Sequence, residues 1–177
     1  GIVIYLLADR SGSMVIVEES VRLALMMIAL AAEKAGIPLG MAYFGSSVAN
    51  EESLTLEVTP IAKRIAEQAK ALIAGFRGVT NSEFLHRGLQ LAERSLLARP
   101  ERRKFLLVIH DGQPTSQDFS LSLESLLAME RKGITPIGIF LGENPEDALR
   151  QLFPRLVVTE GHQLPEKLGM LFKSLAR

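Results

Sequence analysis

The chain has 177 residues, 47% of them hydrophobic, with 20 basic against 20 acidic residues and no cysteine. That length is one domain able to bury about 70% of its unfolded surface, and high hydrophobicity at zero net charge excludes intrinsic disorder. A pI near 7.1 lacks the basic surplus of a phosphate-binding surface, so nucleic acid is not an expected partner. The missing thiols exclude a disulfide framework, a thiolate zinc site and a cysteine nucleophile, and they suit a cytoplasmic setting.

Ile2 to Ala8 (IVIYLLA) is a continuously apolar run rich in β-formers, the pattern of a strand covered on both faces. From Val21, the residues Ala24, Leu25, Ile28, Ala29 and Ala32 recur at helical spacing, with Glu18 and Glu19 at the start and Gly36 as a stop. Within this helix the apolar run Leu23 to Ala32 is half of the roughly 20 residues that cross a bilayer, so no membrane insertion is expected. Met26, Met27 and Leu30 widen its apolar stripe, which reads first as burial against neighbouring helices and second as a partner groove.

Leu39 to Phe44 is a second strand and Leu54 to Val58 a half-exposed third. Thr59 and Pro60 read as an N-cap and first-turn proline opening a helix through Ile73, and Gly75 and Gly78 bracket the loop after it. Ser82 to Leu97 is the next helix, followed by a basic turn (Arg99, Arg102, Arg103, Lys104) expected to be solvated and a strand at Phe105 to Ile109. Ser116 to Lys132 is a helix closed by Gly133, and Pro136 to Leu141 a strand. Asn144 and Pro145 read as the cap and first turn of a further helix; a strand at Leu156 to Thr159 and a helix from Pro165 to Leu175 end the chain.

Apolar strands alternating with helices predict an α/β fold: a three-layer, doubly wound, mostly parallel sheet with one antiparallel edge strand. Opening on a strand without an initiator methionine or signal peptide, residues 1–177 are expected to be a single domain taken from a longer protein.

In such folds ligands bind at the carboxyl ends of the strands. Three predicted loops there concentrate small oxygen-bearing side chains: Asp9, Ser11 and Ser13 after the first strand, Thr80 and Asn81 after Gly78, and Asp111 with Gly112 after the fourth strand. Hydroxyls and carboxylates are hard donors suited to Mg²⁺, Mn²⁺ or Ca²⁺. If Asp9 and Asp111 end neighbouring strands, a cation between them removes their repulsion. Taken alone, Asp9 and Ser11 would equally serve as a helix cap, Thr80, Asn81 or Ser82 as another, and Asp111-Gly112 as an ordinary turn.

Asp9-Arg10-Ser11-Gly12-Ser13 matches the DxSxS signature of von Willebrand factor A (VWA) domains, and the match extends through Met14, Thr80 and Asp111-Gly112 in the right order. The chain thus resembles a VWA domain over essentially its whole length. That resemblance implies a metal-ion-dependent adhesion site (MIDAS), in which Ser11 and Ser13 ligate the ion, Thr80 ligates it in some states, and Asp9 and Asp111 bind directly or through water. It also implies a partner protein whose Asp or Glu fills the remaining coordination position. Within the family the chain is more similar to compact prokaryotic domains of metal-chelatase subunits and of proteins working with AAA+ ATPases, so a cytoplasmic, ATPase-linked assembly is expected.

The expected function is therefore a non-catalytic, metal-dependent interaction module. No GxSxG elbow or GxxxxGK[ST] loop is present. The alternative is Mg²⁺-dependent phosphoryl transfer by strand-end aspartates, but no lysine occupies the three loops and Ser11 stands where a haloacid dehalogenase-type phosphatase has its second aspartate. His110 should point away from the site by strand alternation, His86 and His162 read as isolated, and Arg10 reads as a solvated surface side chain.

Overall fold

The computed structural model describes residues 1–45, 55–80, 84–112 and 115–177. Its single sheet has six strands in the order β3-β2-β1-β4-β5-β6, formed by Leu56–Ala62, Leu39–Phe44, Ile2–Asp9, Arg103–His110, Ile134–Leu141 and Leu156–Thr159. All neighbours pair in parallel except β3, which runs antiparallel to β2 at the edge. The helices are α1 (Glu18–Ala35), α2 (Glu67–Ala74), α3 (Leu85–Leu97), α4 (Ser116–Arg131), α5 (Asp147–Leu152) and α6 (Leu164–Leu175). Short 3₁₀ turns at Gly12–Val17 and Gly161–Gln163 lead into α1 and α6.

The continuous apolar strands feed two cores at once, because successive side chains alternate between faces. On β1, Ile4, Leu6 and Ala8 pack with α1, α2 and α6, whereas Val3, Tyr5 and Leu7 pack with α3, α4 and α5. The order of strands reverses between β1 and β4, whose pairing runs to Ala8 opposite Ile109. Asp9, the last residue of β1, and Asp111, the first residue after β4, therefore lie at the crevice where this fold binds ligands.

Gly36 ends α1 in the left-handed region at φ 68°, as expected of a stop glycine. Met26 packs partly buried against the first core and Met27 contacts the face of α6 at Gly169, but Leu30 remains 48% exposed. The burial reading thus holds for the methionines.

Thr59 and Pro60 do not open a helix: they lie inside β3, and α2 begins only at Glu67. Leu39 pairs with Ala62 and Met41 with Thr59, so β3 carries one extra residue across that interval and Pro60 sits in a bulge on an edge strand. There its missing N–H breaks no ladder bond. The predicted start of this strand at Leu54 lies outside the described residues, as do Asn81 and Ser82; α3 itself begins at Leu85, later than the expected Ser82, because Phe84 before it stands in the left-handed region at φ 69°. The cap of α5 is Glu146 and not Asn144. The basic turn is more tied down than expected: Arg99 pairs with Glu101, Lys104 bonds the Glu101 carbonyl, and Arg103 lies over the Phe105 ring and donates to the carbonyls of Leu175 and Arg177.

Candidate metal centre

The residues predicted to bind metal meet at the carboxyl end of the sheet. Asp9 closes β1 at 1% exposure, and its Oδ1 accepts the Ser11 N–H at 2.7 Å. This bond turns the chain so that the Ser11 hydroxyl lies 2.9 Å from that of Ser13. Ser11 is nearly buried and Ser13 exposed, so the hydroxyl pair spans the boundary between core and solvent. Ser11 begins the 3₁₀ turn but makes no side-chain cap to it, leaving its oxygen available to a ligand.

Backbone bonds bring in the second loop. Ser11 forms an isolated parallel bridge with Thr80, Gly12 N–H donates to the Thr80 carbonyl at 2.7 Å, and the N–H groups of Val79 and Thr80 donate to the Arg10 carbonyl. Gly78 makes this approach possible: a Cβ there would lie 2.5 Å from the Ser11 carbonyl oxygen and 2.8 Å from Val15 N. Thr80 Oγ1 bonds the same Arg10 carbonyl at 3.1 Å.

Asp111 follows β4 and stands beside Asp9, close enough for the carboxyl groups to hydrogen-bond. Burial, reinforced by the Asp111 charge and opposed by the Ser11 N–H, pushes the Asp9 carboxyl up to about 7. A carboxyl pair of this kind, rimmed by neutral hydroxyls, has an electrostatic deficit that a divalent cation would fill. The donors are all oxygen, which fits Mg²⁺, Mn²⁺ or Ca²⁺. Among the described residues no group of three or more His, Asp or Glu that could hold a metal ion occurs, so this site would depend on hydroxyl donors beside its two carboxyls.

His110 projects into the second core, with its ring 5.3 Å from that of Phe153 and Nδ1 3.1 Å from the Gly112 carbonyl. Burial depresses it to about 4, so it is neutral. Arg10 is only partly solvated: it lines a cavity of about 240 Å³ with Tyr43 and Phe76, and burial lowers its pKa. His162 lies 3.4 Å from Glu160 at the surface.

His86, in contrast, is not isolated. It is buried at the start of α3 with Nδ1 2.7 Å from Asp118 Oδ1 on α4. Asp118 also accepts the N–H groups of Leu85 (2.9 Å) and His86 (3.1 Å) and the Ser122 hydroxyl (3.2 Å). It thereby caps α3 from another helix. The segments leading into α3 and α4 carry Thr80 and Asp111, so this clasp ties together the two helices that follow the metal loops. The sequence held one signal of it: Asp118 and Ser122 fall on the same helical stripe as buried Leu126 and Met129, where a polar residue needs an internal partner.

No protein-family profile and no curated protein matches the chain. Solved structures do. The vWF domain of the type V pili tip protein Mfa5 from Porphyromonas gingivalis superimposes with a TM-score of 0.81 at 8% identity, covering 98% of this chain and 94% of that one. The von Willebrand factor type A structure from Catenulispora acidiphila gives 0.77 at 17% identity, over 98% and 42% of the two chains. Proximal thread matrix protein 1 from the mussel byssus, in a form with a zinc-occupied MIDAS motif, gives 0.72 at 18% identity over 98% and 47%. The chain spans less than half the length of these last two proteins. No described helix is long and apolar enough to cross a membrane. Strand order, the antiparallel edge strand and these superpositions together show that the chain has the von Willebrand factor A fold.

Proposed function

We propose that this chain is a divalent-metal-dependent protein-interaction module in which Asp9, Ser11, Ser13, Thr80 and Asp111 hold Mg²⁺, Mn²⁺ or Ca²⁺. The observation that carries the reading is the buried Asp9 carboxyl beside Asp111, with uncharged hydroxyls of Ser11 and Ser13 as the adjoining donors. Two carboxylates at most offset the charge of a divalent ion, and neutral hydroxyls add none, so the ion keeps its attraction for an incoming Asp or Glu. The bound metal would supply an electrophilic point for that carboxylate. The protein's own contribution is to hold the ligand loops rigid through the Ser11–Thr80 bridge.

The module is read as non-catalytic, since no lysine stands in the metal loops to grip a transferring phosphoryl group. Its setting is read from composition as cytoplasmic, and the resemblance to chelatase-type and AAA+-associated VWA domains implies an assembly with an AAA+ ATPase. A second reading, adhesion at a surface, is favoured by the likeness to a pili tip protein.

Calorimetric titration of the chelator-treated protein with Mg²⁺ and Mn²⁺ tests the centre. One site is expected for the wild type and none for Asp9→Ala; identical traces from the two proteins would remove Asp9 from the metal and the proposal with it. A pull-down of binding proteins with and without EDTA then separates the settings, an ATPase or a surface component being recovered only when metal is present.

A further inference from the structure

The metal loops carry side chains that neither the fold nor the metal uses. Met14 turns inward and is fully buried, but the next two residues turn out, Val15 at 52% exposure and Ile16 at 93%. Val79, which immediately precedes Thr80, is 56% exposed. Three β-branched aliphatics thus face water beside the candidate ligands Ser13 and Thr80, where polar residues would meet the needs of folding equally well.

They are also held in place. Val79 N–H is bonded to the Arg10 carbonyl at 2.8 Å, Met14 N–H to that of Ser11 at 3.0 Å, and Gly78 brings the two loops into backbone contact. Apolar groups presented on a rigid backbone lose little further entropy when a partner covers them.

Val15 and Val79 border a cleft of about 580 Å³ between the start of α1 and the segment from Ala74 to Val79. The charges in it are unequally occupied. Glu18 accepts the Gly78 N–H and lies 3.7 Å from Arg22, and Arg22 donates to the Phe76 carbonyl at 2.8 Å. Arg77 is exposed and makes no ion pair among the described residues. The remaining uncommitted charge beside the lip is therefore positive.

We infer that the partner of this site is a protein segment in which the metal-seeking Asp or Glu is flanked by a bulky aliphatic or aromatic residue that packs on Val15, Ile16 and Val79, with a second acidic residue for Arg77. The inference rests on the metal-dependent reading above and adds the chemistry of the partner to it. Complementarity decides the occupant: metal and Arg77 both select anionic groups, and the aliphatic lip between them selects an apolar one.

A phage-displayed peptide library with one fixed central Asp, selected on the full chain in Mg²⁺ and released with EDTA, tests this. Bulky apolar residues next to the fixed Asp should be enriched about tenfold over the unselected library. That preference should vanish for an Ile16→Ser, Val79→Ser double variant whose calorimetric Mg²⁺ binding is unchanged. EDTA-released peptides without apolar flanks would overturn the lip and leave the metal reading standing. Apolar-flanked peptides that stay bound in EDTA would overturn the metal reading and with it this coupling of the two. A Mg²⁺-dependent dimer of the wild type in analytical ultracentrifugation, abolished by the same double variant, would assign the lip to a second copy and overturn the inference.

Discussion

Asp9 and Asp118 are both withdrawn from solvent, at 1% and 4% exposure, but their surroundings compensate them in opposite ways. Asp118 accepts two backbone N–H groups, a hydroxyl and an imidazole N–H, so its charge is met inside the protein. Among the described residues Asp9 has only Ser11 to donate to it, through its backbone N–H and its hydroxyl, and a second carboxyl beside it. A buried carboxylate short of donors costs several kcal/mol unless a proton or a cation joins it. The two sites therefore divide the work: one is a finished structural clasp, the other has an unmet charge at the carboxyl end of the sheet.

The largest effect expected from breaking this contrast is at the clasp. Asp118→Ala leaves the first N–H groups of α3 and the His86 ring without their acceptor, and should cost about 3 kcal/mol in urea unfolding. Mg²⁺ affinity should fall with it, because the clasp joins the helices that follow Thr80 and Asp111. A loss below about 1 kcal/mol would show that water replaces the carboxylate and that the clasp is not structural.

The middle effect concerns pH. With its carboxyl raised to about 7, Asp9 favours the folded metal-free state when protonated, so that contribution is present below the ordinary carboxylate range and is lost as pH rises through about 7. The metal-free wild type should lose thermal stability relative to Asp9→Asn between pH 5 and pH 8, and the increment in Tm on adding Mg²⁺ to the wild type should grow over the same window. Parallel wild-type and Asp9→Asn profiles without metal would place the Asp9 carboxyl in its ordinary range and remove the charge deficit.

The contrast between these sites also shows what a sequence displays and what it conceals. Strands such as β1 and β2 were legible because continuous apolar runs have few alternatives, and Asp9, Ser11 and Ser13 because they lie within five residues of chain. Thr59-Pro60 misled because a capping residue before proline has the same composition as an edge-strand bulge, and only the pairing with β2 distinguishes them. His86 and Asp118 are 32 residues apart, and neither belongs to a short pattern. Their pairing arises from the packing of α3 on α4, a tertiary fact, which left the polar residue on an apolar helical stripe as its sole local sign.

The smallest effect separates binding from stability most cleanly. Ser11 is almost buried and sits in the bridge to Thr80, so replacing it disturbs the backbone arrangement as well as a ligand. Ser13 is exposed, and its hydroxyl lies 2.9 Å from that of Ser11. Ser13→Ala should therefore change unfolding free energy by less than about 0.5 kcal/mol, the usual range for a surface substitution. Mg²⁺ affinity, however, should fall about tenfold, the equivalent of roughly 1.4 kcal/mol for one neutral oxygen donor replaced by water. Calorimetry and urea unfolding on the same preparation read the two quantities together. An unchanged affinity would remove Ser13 from the coordination sphere, and a parallel loss of both would mean that the hydroxyl pair holds the loop and not the ion.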